Sequence, residues 1–192
     1  KADEKGIASA AVHNGLAKEL GMDEDQLFRA AAVNTRRILP PVVQSMNEVM
    51  RDMFVADGMP KELADLMIGE QEPEMTMWVI SNERKVDGAA SMLYEDKLHS
   101  LAERVGTDLY ILPSSVHEVI AVSVEMGEPE ELARMVAEVN MDQVDLSERL
   151  SNQVYHYDKD LRKITLATDT PNKRLDGKDT ERGRTDGKKQ SR

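Results

Sequence analysis

The stretch from Met77 to Val124 constrains the fold most, because it holds the sole tryptophan and most of the runs able to form strands. Aromatic and β-branched residues suit a pleated, half-buried surface. Met75–Ile80 and Val116–Val124 have that character and read as strands. Asp108–Leu112 (DLYIL) is a short buried strand, which Pro113 interrupts because proline gives no donor to a ladder. Ser81–Lys85 is polar and turn-like, and Val86–Tyr94 continues as a further strand with a bend or bulge at Gly88. A helix follows. Asp96 is its expected N-cap, Leu98, Leu101, Ala102 and Val105 fall on one face, and Gly106 stands where a C′ residue belongs.

The flanking sequence is helical on the N-terminal side. Ile7–Leu20 has helical composition and ends at Gly21. Asp23 with Gln26 three residues on, and Ser45 with Glu48, are two capping-box starts. The first opens a helix with Leu27, Ala30, Ala31, Asn34 and Ile38 at helical spacing, stopped by Pro40-Pro41. The second opens a helix carrying Met46, Met50 and Met53 at i, i+4 and i+7. That stripe is either an adaptable groove for a partner or an ordinary core face, and amphipathic spacing favours the core. Pro60 suits the start of a short helix with Leu63, Leu66, Met67 and Ile68. The acidic run Glu70–Glu74 is the expected internal boundary. On the C-terminal side, Pro129 stands at N1 of a helix whose buried face is Leu132, Met135, Val136 and Val139, with Asn140 near its end. Gln153–Tyr157 and Arg162–Ala167 alternate about the turn Asp158-Lys159-Asp160, a hairpin signal in which His156 faces opposite Tyr155 and Tyr157.

These elements define an α+β protein: a helical N-terminal part over 1–70, then a mostly antiparallel sheet with helices packed on one face over 71–167. A parallel α/β arrangement is the alternative. From Thr168 to Arg192 the only large apolar residue is Leu175, so 168–192 reads as a disordered charged tail. The charge is uneven: the tail carries a net +3 and the body −14, giving −11 overall. An acidic body repels phosphates, so nucleic acid is an expected partner only through the tail. No apolar run approaches the length needed to span a bilayer. Cysteine is absent, which removes disulfides and thiolate metal sites and agrees with a cytoplasmic setting.

The chemistry-bearing residues are sparse. Pro113-Ser114-Ser115-Val116-His117-Glu118 places two hydroxyls near an imidazole and a carboxylate at a strand junction. Ser114 or Ser115 with His117 and Glu118 is the candidate hydrolase site. A turn whose serines bond the backbone is the competing and favoured reading. No G-x-S-x-G elbow surrounds these serines, and Ala121 stands where a zinc-protease helix needs its second histidine. The four histidines, at 13, 99, 117 and 156, have no ligand spacing, so no metal or cofactor is expected.

The segments LYILPSSVHEVI, WVISNERKVDGAASMLY, LSNQVYHYD and ELGMDEDQLFRAAAVNTRRILPP resemble an uncharacterised bacterial domain family, found mainly in anaerobic gut Firmicutes and often near mobile elements. The resemblance covers Ala11 to Thr168 and implies that the chain is a C-terminal portion of a longer protein; it brings no catalytic residues with it. The expectation is therefore a cytoplasmic interaction or regulatory domain with a protein partner, contacted through the methionine stripe or the sheet face. An enzyme using Ser114–Glu118 and a nucleic-acid accessory acting through the tail are the alternatives.

Overall fold

The structure, a computed structural model, describes residues 12–69 and 71–168. The chain divides into two compact units, Lys1–Pro40 and Pro41–Arg192. The first holds α1 (Asn14–Glu19) and α2 (Glu24–Ile38). His13 caps α1 through its ring, with Nδ1 accepting from the Leu16 N–H. The expected capping box of α2 is present: Gln26 N–H donates to Asp23 Oδ1 at 2.8 Å, and Asp23 N–H to Gln26 Oε1 at 2.9 Å.

The second unit begins with a strand that sequence reading left out, β1 (Pro41–Ser45). It is followed by α3 (Met46–Ala56), α4 (Lys61–Ile68), β2 (Trp78–Asn82), α5 (Glu95–Val105), β3 (Leu109–Leu112), β4 (Val119–Ser123), α6 (Pro129–Asp142), β5 (Tyr155–Asp158) and β6 (Lys163–Leu166). The strands form one sheet in the order β1-β2-β4-β3-β5-β6, and every pairing is antiparallel. The fold is α+β, and the parallel alternative is ruled out. The segment 1–70 thus contributes an edge strand to the sheet as well as helices.

Ser45 serves two elements at once. It ends β1 opposite Trp78, and its hydroxyl accepts from the Glu48 N–H while Glu48 returns to the Ser45 N–H at 2.6 Å. One residue therefore fixes the angle at which α3 leaves the sheet.

Strand side chains alternate between two faces. Trp78, Ile80, Leu109, Ile111, Val119, Ala121 and Tyr157 form one core with Leu98, Leu101, Ala102 and Val105, the face of α5 read from the sequence. The intervening residues Leu112 and Val122 pack with Val154 and with Leu132 and Val136 of α6. Helices thus cover both faces of the sheet rather than one. On α6 the buried line is Leu132, Val136 and Asn140, whereas Met135 and Val139 are 57% and 47% exposed. The helix rests on the sheet along a narrow i, i+4, i+8 line, which leaves the flanking positions in solvent.

Three boundaries differ from expectation. The first strand of the central stretch starts at Trp78, after a single 3₁₀ turn over Pro73–Met75. Helix α5 begins at Glu95 with Tyr94 before it, so Asp96 lies in its first turn and is not the N-cap. Val86–Tyr94 is not a strand but a 3₁₀ segment, Gly88–Leu93. The cause is local. Asn82 closes the preceding turn, its side chain donating to Val86 O and accepting from Arg84 N–H. Lys85 and Asp87 adopt positive φ, which bends the chain across the end of the sheet.

Candidate functional site

The Pro113–Glu118 segment joins β3 to β4, and its backbone is tied on both sides. Leu150 and Ser151 donate to Ser114 O and Pro113 O, Val116 N–H donates to Glu148 O, and Ala89 N–H donates to Val116 O. Ser115 pairs with Arg149 in an isolated bridge. The serine, histidine and carboxylate side chains expected to carry hydrolase chemistry lie within this frame. Ser115 Oγ accepts from the His117 backbone N–H at 3.1 Å, a local turn bond to the main chain rather than to the imidazole. His117 Nδ1 accepts from Asp87 N–H at 3.2 Å, so the neutral ring carries its proton on Nε2, which lies 3.4 Å from Glu148 Oε1. Both ring nitrogens thus have partners other than a serine hydroxyl. The His117 carbonyl accepts from Ser81 Oγ at 2.7 Å. Ser114 is half-buried beside them. Glu118 borders a shallow recess with Val42, Gln44, Val79 and Lys85. The carboxylate facing His117 is therefore Glu148, thirty-one residues downstream, a pairing that sequence spacing does not reveal.

The methionine stripe is not a core face. Helix α3 has no buried residue; Met46 is half-buried, and Met50 and Met53 are 41% and 60% exposed. On α4, Leu63, Leu66 and Met67 are also exposed, Leu66 at 81%, while Ala64 is buried and Arg51 of α3 pairs with Asp65. The hairpin α3–α4 is joined along its inner side and leaves apolar side chains in water.

Two polar groupings were not foreseen, both at the β5–β6 turn. Arg162 donates to both Glu95 oxygens, at 2.6 and 2.9 Å, and the buried Tyr157 donates its hydroxyl to the same carboxylate at 2.8 Å. His156 Nε2 lies 3.0 Å from Asp108 Oδ2, while Asp108 Oδ1 accepts from the Lys159 N–H. The partners are separated by 48 to 67 positions in sequence, so no motif could have shown them. His156 packs against Tyr110 on the sheet face opposite Tyr157, as the alternation of YHY requires.

The hydrogen bonds from Arg162, and then from Tyr157, hold the Glu95 carboxyl below its ordinary range. Burial first, and then Glu95, push the Tyr157 phenol up to about 12. The signs are opposite at the two ends of the pH scale. The lowered carboxyl stabilises the fold above the range where a free glutamate titrates, and that contribution is lost as pH falls through the lowered value. The raised phenol stabilises it below about pH 10, and that contribution is lost as pH rises towards about 12. Urea unfolding across pH is expected to show a shallower alkaline decline in Tyr157→Phe and a shallower acid decline in Arg162→Gln. Limbs identical to the parent protein would refute this account of the cluster.

Among the described residues no three His, Asp or Glu side chains are placed to hold a metal ion, and no helix is long and apolar enough to cross a membrane. Thr168 is buried, with its Oγ1 accepting from Val154 N–H; the rest of the expected tail, 169–192, lies outside the described residues, as do residues 7–11 of the first expected helix, whose described part is helical over Asn14–Glu19. The chain matches the model of a family of unknown function (DUF5688) over residues 1–159. No curated protein and no solved structure matches it.

Proposed function

We propose, from the premise that the chain belongs to the family of unknown function DUF5688, that it is a non-catalytic interaction or regulatory domain of the bacterial cytoplasm that contacts a protein partner through α3 and α4. The observation that carries this reading is a contrast. The polar atoms of Ser115 and His117 are engaged in internal bonds, whereas Met50, Met53, Leu66 and Met67 are exposed among the described residues. Methionine adapts its shape at low cost and is suited to a contact surface. Residues 46–68 carry five acidic side chains against two basic ones, and Arg51 is already paired with Asp65. That balance favours a partner segment with apolar side chains flanked by Lys or Arg.

The test uses the full chain, immobilised and exposed to a lysate of its native host, with two variants compared with the parent. Met50→Asp combined with Met53→Asp is expected to abolish recovery of a stoichiometric protein partner without changing the melting temperature. Ser115→Ala is expected to retain that partner, and rising salt to weaken it. Labelling of the parent chain by a fluorophosphonate probe at Ser114 or Ser115 would instead establish the hydrolase alternative. Recovery unaffected by the methionine changes would remove α3 as the contact.

A further inference from the structure

A second feature is independent of that surface. A cleft of about 290 Å³ opens between the start of α3, the segment leading into β2, and α5. Arg51, Gln71, Trp78 and Arg104 line it, with Asn47 and Pro73 beside them. The Trp78 side chain is almost wholly buried, its Nε1 donates to Pro73 O at 3.3 Å, and the Arg104 guanidinium stacks 4.3 Å from its ring centroid. Stacking on an aromatic face holds a guanidinium through its π surface and leaves its in-plane N–H groups available as donors. Among the described residues Arg104 has no carboxylate within ion-pair distance, although the body of the protein is strongly acidic. Arg51 is fixed by its Nε pair with Asp65, which leaves its terminal nitrogens as donors. Glu48, the acidic residue of the lining, has its carboxylate bound to the Ser45 N–H and hydroxyl.

We propose that this cleft binds a small organic monocarboxylate, with the carboxylate held by Arg104 and Arg51 and its apolar body against Pro73. Two guanidiniums held in place offer the planar donor pattern that a carboxylate matches. The excess of negative charge on the body opposes a dianion more than a monoanion, which favours a carboxylate over a phosphate. Pro73 gives the cleft an apolar wall, while the buried Trp78 ring backs the Arg104 guanidinium, and this favours a ligand with a hydrocarbon portion.

Trp78 is the sole tryptophan and lies under Arg104, so in the folded chain its emission responds to a ligand that engages that guanidinium. The full chain is titrated with hexanoate and, at matched ionic strength, with inorganic phosphate. A saturable change in emission with hexanoate is expected, weakened at least about tenfold by Arg104→Gln and unaffected by Arg134→Gln on α6. Gln71→Glu, which adds a carboxylate to the lining without touching the core, is expected to weaken hexanoate to a similar degree and guards against a folding defect in the first variant. A linear response, or one equal in all four proteins, would overturn the proposal. Tighter binding of phosphate than of hexanoate would overturn the ligand class.

Discussion

Gly88→Ala is expected to lower stability by about 3 kcal/mol, at the upper end of ordinary overpacking costs. A Cβ at this position would stand 2.2 Å from Ser81 Oγ, 2.5 Å from His117 O and 2.8 Å from Asn82 N. Two of these three atoms are backbone, and the third is held by its bond to His117 O. The end of β2, the 3₁₀ segment and the β3–β4 connection meet at this point, so none can withdraw without breaking a bond to another. Guanidinium unfolding followed by Trp78 emission measures the loss. Adding Ser81→Ala removes the shortest contact but not the one to the carbonyl, so it should restore only part of the stability. A Gly88→Ala protein as stable as the parent would show that this junction yields, contrary to the packing described.

Leu98→Ala is expected to cost a similar amount, about 3 kcal/mol, for a different reason. Leu98 is fully buried at the centre of the α5 face, among the side chains that join that helix to the sheet. Truncation removes apolar contact and leaves a cavity that rigid strands cannot fill. Leu66→Ala on α4 provides the comparison: the same chemical change at a side chain in water is expected to shift the midpoint by less than about 0.5 kcal/mol. If the two variants unfolded at the same denaturant concentration, the division between the α5 core and the exposed α4 face would be wrong.

What the sequence disclosed follows the range of the interactions involved. The capping boxes at Asp23 and Ser45 act over three residues and were legible as written. The apolar face of α5 and the hairpin of β5 and β6 were legible for the same reason: their periodicity is set within one element or across one turn. Val86–Tyr94 misled because its apolar residues suit a strand, while its conformation is imposed by Asn82 and by the closeness of Gly88 to β2 and His117. β1 was missed because only three residues, Val42, Val43 and Gln44, separate a diproline from a capping serine, too short a run for alternation to declare itself. At the candidate site, the pairing of His117 with Glu148 and Asp87 depends on three separate segments meeting. The stacking of Arg104 on Trp78 likewise depends on the docking of α5, and nothing in either residue's neighbourhood announces it.

The strand order has a mechanical consequence. Among the described residues the two outermost strands are the first and the last in sequence, while the inner four come from the residues between. A disturbance entering from either end therefore meets a border that can peel away one rung at a time, leaving the inner strands and both helix layers in place. The sheet behaves as a fixed panel with two hinged margins. Tension or thermal agitation is spent first on those margins, before it reaches the tryptophan and tyrosine anchored within.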